Sequence, residues 1–330
     1  MTPRERFFAT IQGQSVDRPP VTPIVMQWAA DLIGRSFHDY YLEGEVLAEG
    51  QIAAARTLGS DWVSVMSDPW CESCAYGMTF DWPETSVGVP HCLLIESPAD
   101  ARKLPAMDLD NFRIRERLVC IDREVREVGG THPVAGWVEG PIAQYADLRG
   151  LEGALMDLMD DPATFEAAAE HLVHEALRLV KVQVEHGASV IGVGDAAASV
   201  IGPTLYREHV LRWEKLLFKG IHDAGAAVKL HICGDITPML PDMIGLGADV
   251  IDLDWMVSIA AARKLMPAQT FAGNFNPATV LLRGTPEQVA AEASRCYAES
   301  GGHHFMLQAG CETPPGTPLA NVLAFCPGKN

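Results

Sequence analysis

The chain has 330 residues, 48% hydrophobic and 21% charged, which supplies a sizeable core and excludes a disordered chain. Asp and Glu outnumber Lys and Arg by 43 to 25, a formal charge of -18, so no broad cationic surface can form, and nucleic acid, anionic membranes and highly carboxylated substrates are unsuitable partners. Apolar runs such as Val190–Val193 fall far short of the roughly 18 residues of a membrane span, and MTPRERFFAT lacks a cationic start leading into an apolar stretch, so a cytoplasmic location is expected.

Short runs rich in valine and isoleucine alternate with longer amphipathic segments, the pattern of parallel strands joined by crossover helices. The spacing predicts strands near Val21–Met26, Trp62–Met66, Val134–Val138, Val190–Val193, Val228–His231, Val250–Leu253, Thr270–Gly273 and Phe305–Gln308. Helices are predicted over Glu45–Leu58, Pro162–His186, Pro203–Ala224, Pro238–Leu246 and Pro286–Glu299. Several open on proline, whose missing N–H is not needed in a first turn, while Gly187, Gly225 and Gly247 stand where αβ turns commonly place glycine. The expected fold is α/β, a single (β/α)8 TIM barrel with all of 1–330 in one domain. An open doubly wound sheet reads similarly, but no glycine-rich dinucleotide loop is present. The stretch Trp70–Leu109, rich in proline and aromatics, reads as an insertion after strand two that folds over the barrel mouth.

The strongest chemical signal is VKLHICGDITPML. His231 and Cys233 stand two apart at a strand's carboxyl end, where i and i+2 point the same way and can converge on one ion. Far along the chain, FMLQAGCETPPGTP puts Cys311 just after the last strand, and in a barrel both sites lie on the C-terminal rim. Thiolates with an imidazole select zinc, and three protein ligands leave one position for substrate. The alternative is a pair of core-lining residues and an unrelated buried thiol. The eight cysteines, Cys71, Cys74, Cys92, Cys120, Cys233, Cys296, Cys311 and Cys326, have no framework spacing and are expected as thiols or metal ligands. Cys71 and Cys74 form a CxxC without a second pair and read as structural, and His303 and His304 belong at the bottom of the barrel, remote from the metal.

The phrases DRPPV, GADVIDLDW, FAGNFNPATVLLRGTPEQV and GGHHFMLQAGCETPPGTPLANVLAF resemble the uroporphyrinogen decarboxylase superfamily from end to end, which again implies a single barrel. True decarboxylases carry an arginine-rich phrase after RPP that grips the substrate's carboxylates; RPPVTPIVMQWAADL is nearly devoid of cations. The other branch, the corrinoid-dependent methyltransferases, bears HxC and a distant cysteine as zinc ligands, a pattern His231, Cys233 and Cys311 match residue by residue. The resemblance implies exchange of a methyl group between a small substrate and a corrinoid (cobalamin) held by a separate carrier protein. The substrate would be a thiol such as coenzyme M, a methylamine or a methoxy-aromatic; the aromatic insertion leans slightly toward the last, an O-demethylation. A uroporphyrinogen decarboxylase-type carboxy-lyase and a non-catalytic barrel binding a corrinoid or partner are the alternatives, and a homodimer is an analogy from the superfamily.

Strand-end carboxylates Asp68, Glu139, Asp195 and Asp254 are expected to face the same mouth, as a fourth zinc ligand, a general acid or a group orienting the imidazole, or else as solvated caps. Asp252 would share Asp254's face but lie deeper, and is set aside. Met26, Trp70, Tyr76 and Trp137, with Trp28, Met66 and Trp255, are candidates to line a pocket for a flat ring or cover the lower face of a corrin, with core packing as the alternative.

Overall fold

In the computed structural model, which describes residues 1–325, seven parallel strands form one curled sheet whose order follows the chain. They are β1 (Val63–Ser64), β2 (Val134–Glu139), β3 (Val190–Gly194), β4 (Ala227–His231), β5 (Val250–Leu253), β6 (Thr270–Phe275) and β7 (Phe305–Ala309). Seven strands stand where eight were expected, because Val21–Met26 contributes one parallel bridge, Val21 to Leu307, instead of a strand. Pro19, Pro20 and Pro23 remove the N–H donors that a ladder needs. The segment still joins the two edges of the sheet: Thr22 N donates to Leu307 O at 3.0 Å and Leu307 N to Pro20 O at 2.7 Å, while Asp61 N donates to Val21 O at 2.7 Å. Asp61 is fully buried, accepts from Val21 N at 2.7 Å, and pairs with Arg6 and Arg18.

Strand register sorts the interior into rows. Ala135, Val190 and Ala227 stand side by side, then Trp137, Gly192 and Lys229, then Glu139, Gly194 and His231 nearest the carboxyl ends. The lowest level is apolar: Phe7 from the helix Pro3–Ile11 packs with Ile24, Trp62, Ala135, Val190, Val250, Ala272 and Met306. The upper rows are polar. Gly192 is required there, because a Cβ would lie 2.2 Å from the Trp137 ring, so the indole leans across β3.

The helix Pro286–Glu299 matches its expected bounds, and Gly44–Leu58 and Pro162–Glu185 differ from theirs by one residue. The expected helix over 203–224 is broken. Gly202 (φ +78) and Pro203 kink Ala198–Leu205, a π-turn spans Tyr206–Val210, and Leu211–Asp223 follows. Pro238–Leu246 forms a run of turns instead of a helix; Pro241 lacks the donor a helical ladder needs, and short bonds such as Leu246 N to Met243 O take over. Between β1 and the helix Phe112–Val128 lie the helix Pro69–Ala75, a pairing of Phe80–Asp81 with Val89–Pro90, and the helix Pro98–Ala101. No helix among the described residues is long and apolar enough to cross a membrane. Cys326 lies outside the described residues.

Candidate metal centre

His231 is the last residue of β4, Cys233 sits in the turn beyond it, and Cys311 follows β7 by two residues. Across the mouth these side chains meet: His231 Nε2 lies 3.2 Å from Cys233 Sγ, the two sulfurs are 3.6 Å apart, and Cys311 Sγ is 3.8 Å from His231 Nε2. The three form one group able to hold a metal ion, and no other His, Cys, Asp or Glu joins it among the described residues.

The imidazole is fixed from behind. Nδ1 lies 3.0 Å from Asp252 Oδ2, and Lys229 Nζ binds both oxygens of Asp252. The carboxylate is the acceptor, so Nδ1 carries the proton and Nε2 is left to face the sulfurs. Lys229 is 1% exposed, with its ammonium 4.8 Å from the centre of the Trp62 ring. Burial pushes Asp252 toward its neutral form, but Lys229 and His231 outweigh it and hold the carboxyl below its ordinary range. The thiol of Cys311 is drawn down to about 4 by its hydrogen bond with Cys233, against burial and with help from His231. Cys233 is pushed up by the same bond. Asp252 was set aside on the sequence as too deep. The register shows why it belongs: Leu230 pairs with Ile251, so Asp252 stands beside His231. The signal was a charged pair, Lys229 and Asp252, on adjacent apolar strands.

Asp254 is held by backbone: it accepts from Gly234 N and Trp255 N, each at 2.6 Å. It therefore fixes the turn that carries Cys233, where Gly234 has φ +96, the left-handed region that suits glycine. A Cβ on Gly310 would lie 2.5 Å from Trp255 N, so the backbone leading to Cys311 runs directly against that turn.

The other strand-end carboxylates differ in their surroundings. Asp68 is buried against Arg113, Arg117 and the Tyr41 hydroxyl, and caps the helix Pro69–Ala75 by accepting from Trp70 N at 3.2 Å. Asp195 lies one residue beyond β3, out of step with the inward row, and accepts from Ala143 N at 2.7 Å in the first turn of the helix Pro141–Arg149. Burial, reinforced by nearby Glu214, pushes its carboxyl well above the ordinary range. Glu139 stands in the top row with His231; its Oε1 accepts from Trp137 Nε1 at 3.0 Å, and its own N–H donates to Glu72 Oε1 at 2.6 Å. Glu139 and Asp147 line a cleft of about 510 Å3, together with Trp70.

Of the remaining candidates, Trp137 is buried over Gly192, Tyr76 is buried with its hydroxyl unpartnered, and Met26 is half-buried just before the helix Gln27–Leu32. Cys71 and Cys74 are buried in the helix Pro69–Ala75, where burial pushes the Cys71 thiol up to about 12. His303 and His304 line a separate pocket beside Thr10 and Gly13, near the N-terminal helix.

The profile of the uroporphyrinogen decarboxylase (URO-D) family matches residues 2–327. The chain belongs to the uroporphyrinogen decarboxylase family. Within this family, methylcobamide:CoM methyltransferase MtbA of Methanosarcina mazei is 28% identical to it over 97% of this chain and 95% of that protein. Methylcobamide:CoM methyltransferase MtaA of Methanosarcina barkeri is 26% identical, covering 100% of this chain and 98% of its own. Uroporphyrinogen decarboxylase of Nocardia farcinica is 27% identical over 96% of this chain and 94% of that protein. Among solved structures, a methyltransferase from Methanosarcina mazei shares the fold with a TM-score of 0.89 at 23% identity, covering 98% of this chain and 97% of that one.

Proposed function

We propose that this family member is a zinc-dependent methyltransferase that moves a methyl group between a corrinoid held by a separate protein and a small thiol. The triangle of ligand atoms carries the reading. A tetrahedral zinc with bonds of about 2.3 Å to sulfur and 2.0 Å to nitrogen sets two sulfurs about 3.8 Å apart and nitrogen about 3.5 Å from sulfur. The nitrogen–sulfur separations of 3.2 and 3.8 Å bracket the second value, and the sulfur–sulfur separation of 3.6 Å falls just short of the first. Two methyltransferase relatives whose names pair methylcobamide with CoM favour a thiol over the aryl ether that the aromatic insertion suggested.

Zinc, when bound, supplies the Lewis acidity that turns a coordinated thiol into a thiolate near neutral pH. His231, Cys233 and Cys311 would hold the zinc and leave room for a substrate thiol. Asp252 orients the imidazole, Lys229 keeps Asp252 ionised, and Asp254 holds the Cys233 turn. The corrinoid would supply the methyl group: a thiol held here would form its sulfur–methyl bond as the methyl–cobalt bond broke, with the electron pair left on cobalt and the thiol proton released to solvent. Glu139 and Trp70, on the cleft, are the expected substrate contacts, while Asp68 and Asp195 act through the framework.

The test is metal content with cobalt spectroscopy. The purified protein should hold about one zinc per chain and convert methylcob(III)alamin to cob(I)alamin when a thiol is added. Cys311→Ala should hold almost none and leave the spectrum unchanged. A zinc-loaded protein that demethylates the cobalt with no thiol would refute the assignment.

A further inference from the structure

The cleft of about 510 Å3 has apolar walls, including Trp70, Leu93, Leu151 and Val200, and only two ionisable lining residues, Glu139 and Asp147. Glu139 is 6% exposed. Its Oε1 is taken by Trp137, while no hydrogen bond to Oε2 is found among the described residues. Asp147 Oδ2 is likewise buried without a partner. No Lys, Arg or His lines the cleft among the described residues, and Arg113 and Arg117 are bound to Asp68. Burial, reinforced by the neighbouring carboxyls, pushes both groups well above the ordinary carboxylate range. Buried carboxyls of like charge stay costly until a cation joins them.

The cleft and the ligand triangle both draw on the carboxyl end of the sheet. Glu139, Gly194 and His231 share a row, so the Glu139 backbone is about 10 Å from that of His231 at two strand spacings. Gly194 lets the side chain lean across that gap, with Glu139 Oε2 3.0 Å from where a Cβ would stand. On the far wall, Ala196 and Ala197 lead to Ser199, whose Oγ lies 3.1 Å from the corresponding point on Gly234, next to Cys233.

We propose that the cleft takes the tail of the thiol substrate and that this tail carries a positive charge, an ammonium or similar cation seated between Glu139 and Asp147. The inference rests on the thiol-methyltransferase reading above. A sulfonate or carboxylate tail would find no Lys, Arg or His in the lining to pair with.

Three thiols of equal length separate the cases: 2-mercaptoethylamine, 2-mercaptoethanol and 2-mercaptoethanesulfonate. Each is titrated calorimetrically into the zinc-loaded protein and supplied as acceptor with methylcob(III)alamin. The amine should bind about tenfold tighter than either other thiol, a difference of about 1.4 kcal/mol, and Glu139→Gln should remove most of that preference. Comparing ratios between wild type and Glu139→Gln cancels the thiols' intrinsic reactivity, and Asp147→Asn is read in its place if Glu139→Gln fails to fold. Equal binding of all three, a preference for the sulfonate, or a preference that survives the substitution overturns the proposal while leaving methyl transfer intact. Zinc-loaded protein that binds and methylates none of them overturns the underlying reading as well.

Discussion

Asp68 lies beyond β1 and Glu139 ends its paired neighbour β2; both are buried and look alike as strand-end carboxylates in the sequence, yet they do opposite things. Asp68 is surrounded by donors, and although burial opposes ionisation, Arg113 and Arg117 hold its carboxyl below the ordinary range. Glu139 has one indole N–H and otherwise other acids for neighbours, so burial drives it the other way. A satisfied buried carboxylate is part of the framework; an unsatisfied one facing a cleft is available to a ligand.

Breaking the satisfied member should cost most. Asp68→Asn leaves Arg113 and Arg117 buried without a counter-charge and should lower stability by about 3–5 kcal/mol in chemical denaturation, whereas a loss well under 1 kcal/mol would show that the two carboxylates do not differ as described. Next in size is Gly192→Ala: the added methyl strikes the Trp137 ring and should cost about 1–3 kcal/mol while pulling the indole from Glu139, visible as altered tryptophan fluorescence. The third effect is spread over pH and is small within any one pH unit. Burial pushes Glu72, beneath Glu139, from an ordinary 4.5 up to about 8. The folded state then binds that proton more tightly than the unfolded chain, so stability falls as pH rises from about 4.5 toward about 8, by at most about 1.4 kcal/mol per pH unit. Glu72→Gln should flatten that slope in urea melts at several pH values, and an unchanged slope would remove Glu72 from the acidic group.

The period-two signal was the most informative part of the sequence. It put His231 and Cys233 on one side of a strand end, while the runs of valine and isoleucine located the seven strands that the sheet contains. The same rule carried further would have exposed two facts: Asp252 shares His231's row, and Asp195 falls out of step with Gly194. The prolines that reduce Val21–Met26 to a bridge were also in plain view. What could not be read is what comes from elsewhere in the chain. The arginines that neutralise Asp68 sit on the helix Phe112–Val128, and Asp147 reaches the cleft from the helix Pro141–Arg149, whose neighbouring residues are small and carry little pattern. A strand-end acid looks the same whether or not a distant helix brings it a cation.

The bridge at Val21 also sets an order of events during synthesis. Its partner is Leu307, and Thr22 bonds to Gln308 across a separation of 286 residues. The edges of the sheet cannot be joined until nearly all of the polypeptide has left the ribosome, and contacts this far apart in sequence form slowly. Cys311 lies just beyond that closing strand, so the third ligand arrives with the last piece of the fold, and a nascent chain stalled before it would have only His231 and Cys233 with which to compete for an ion.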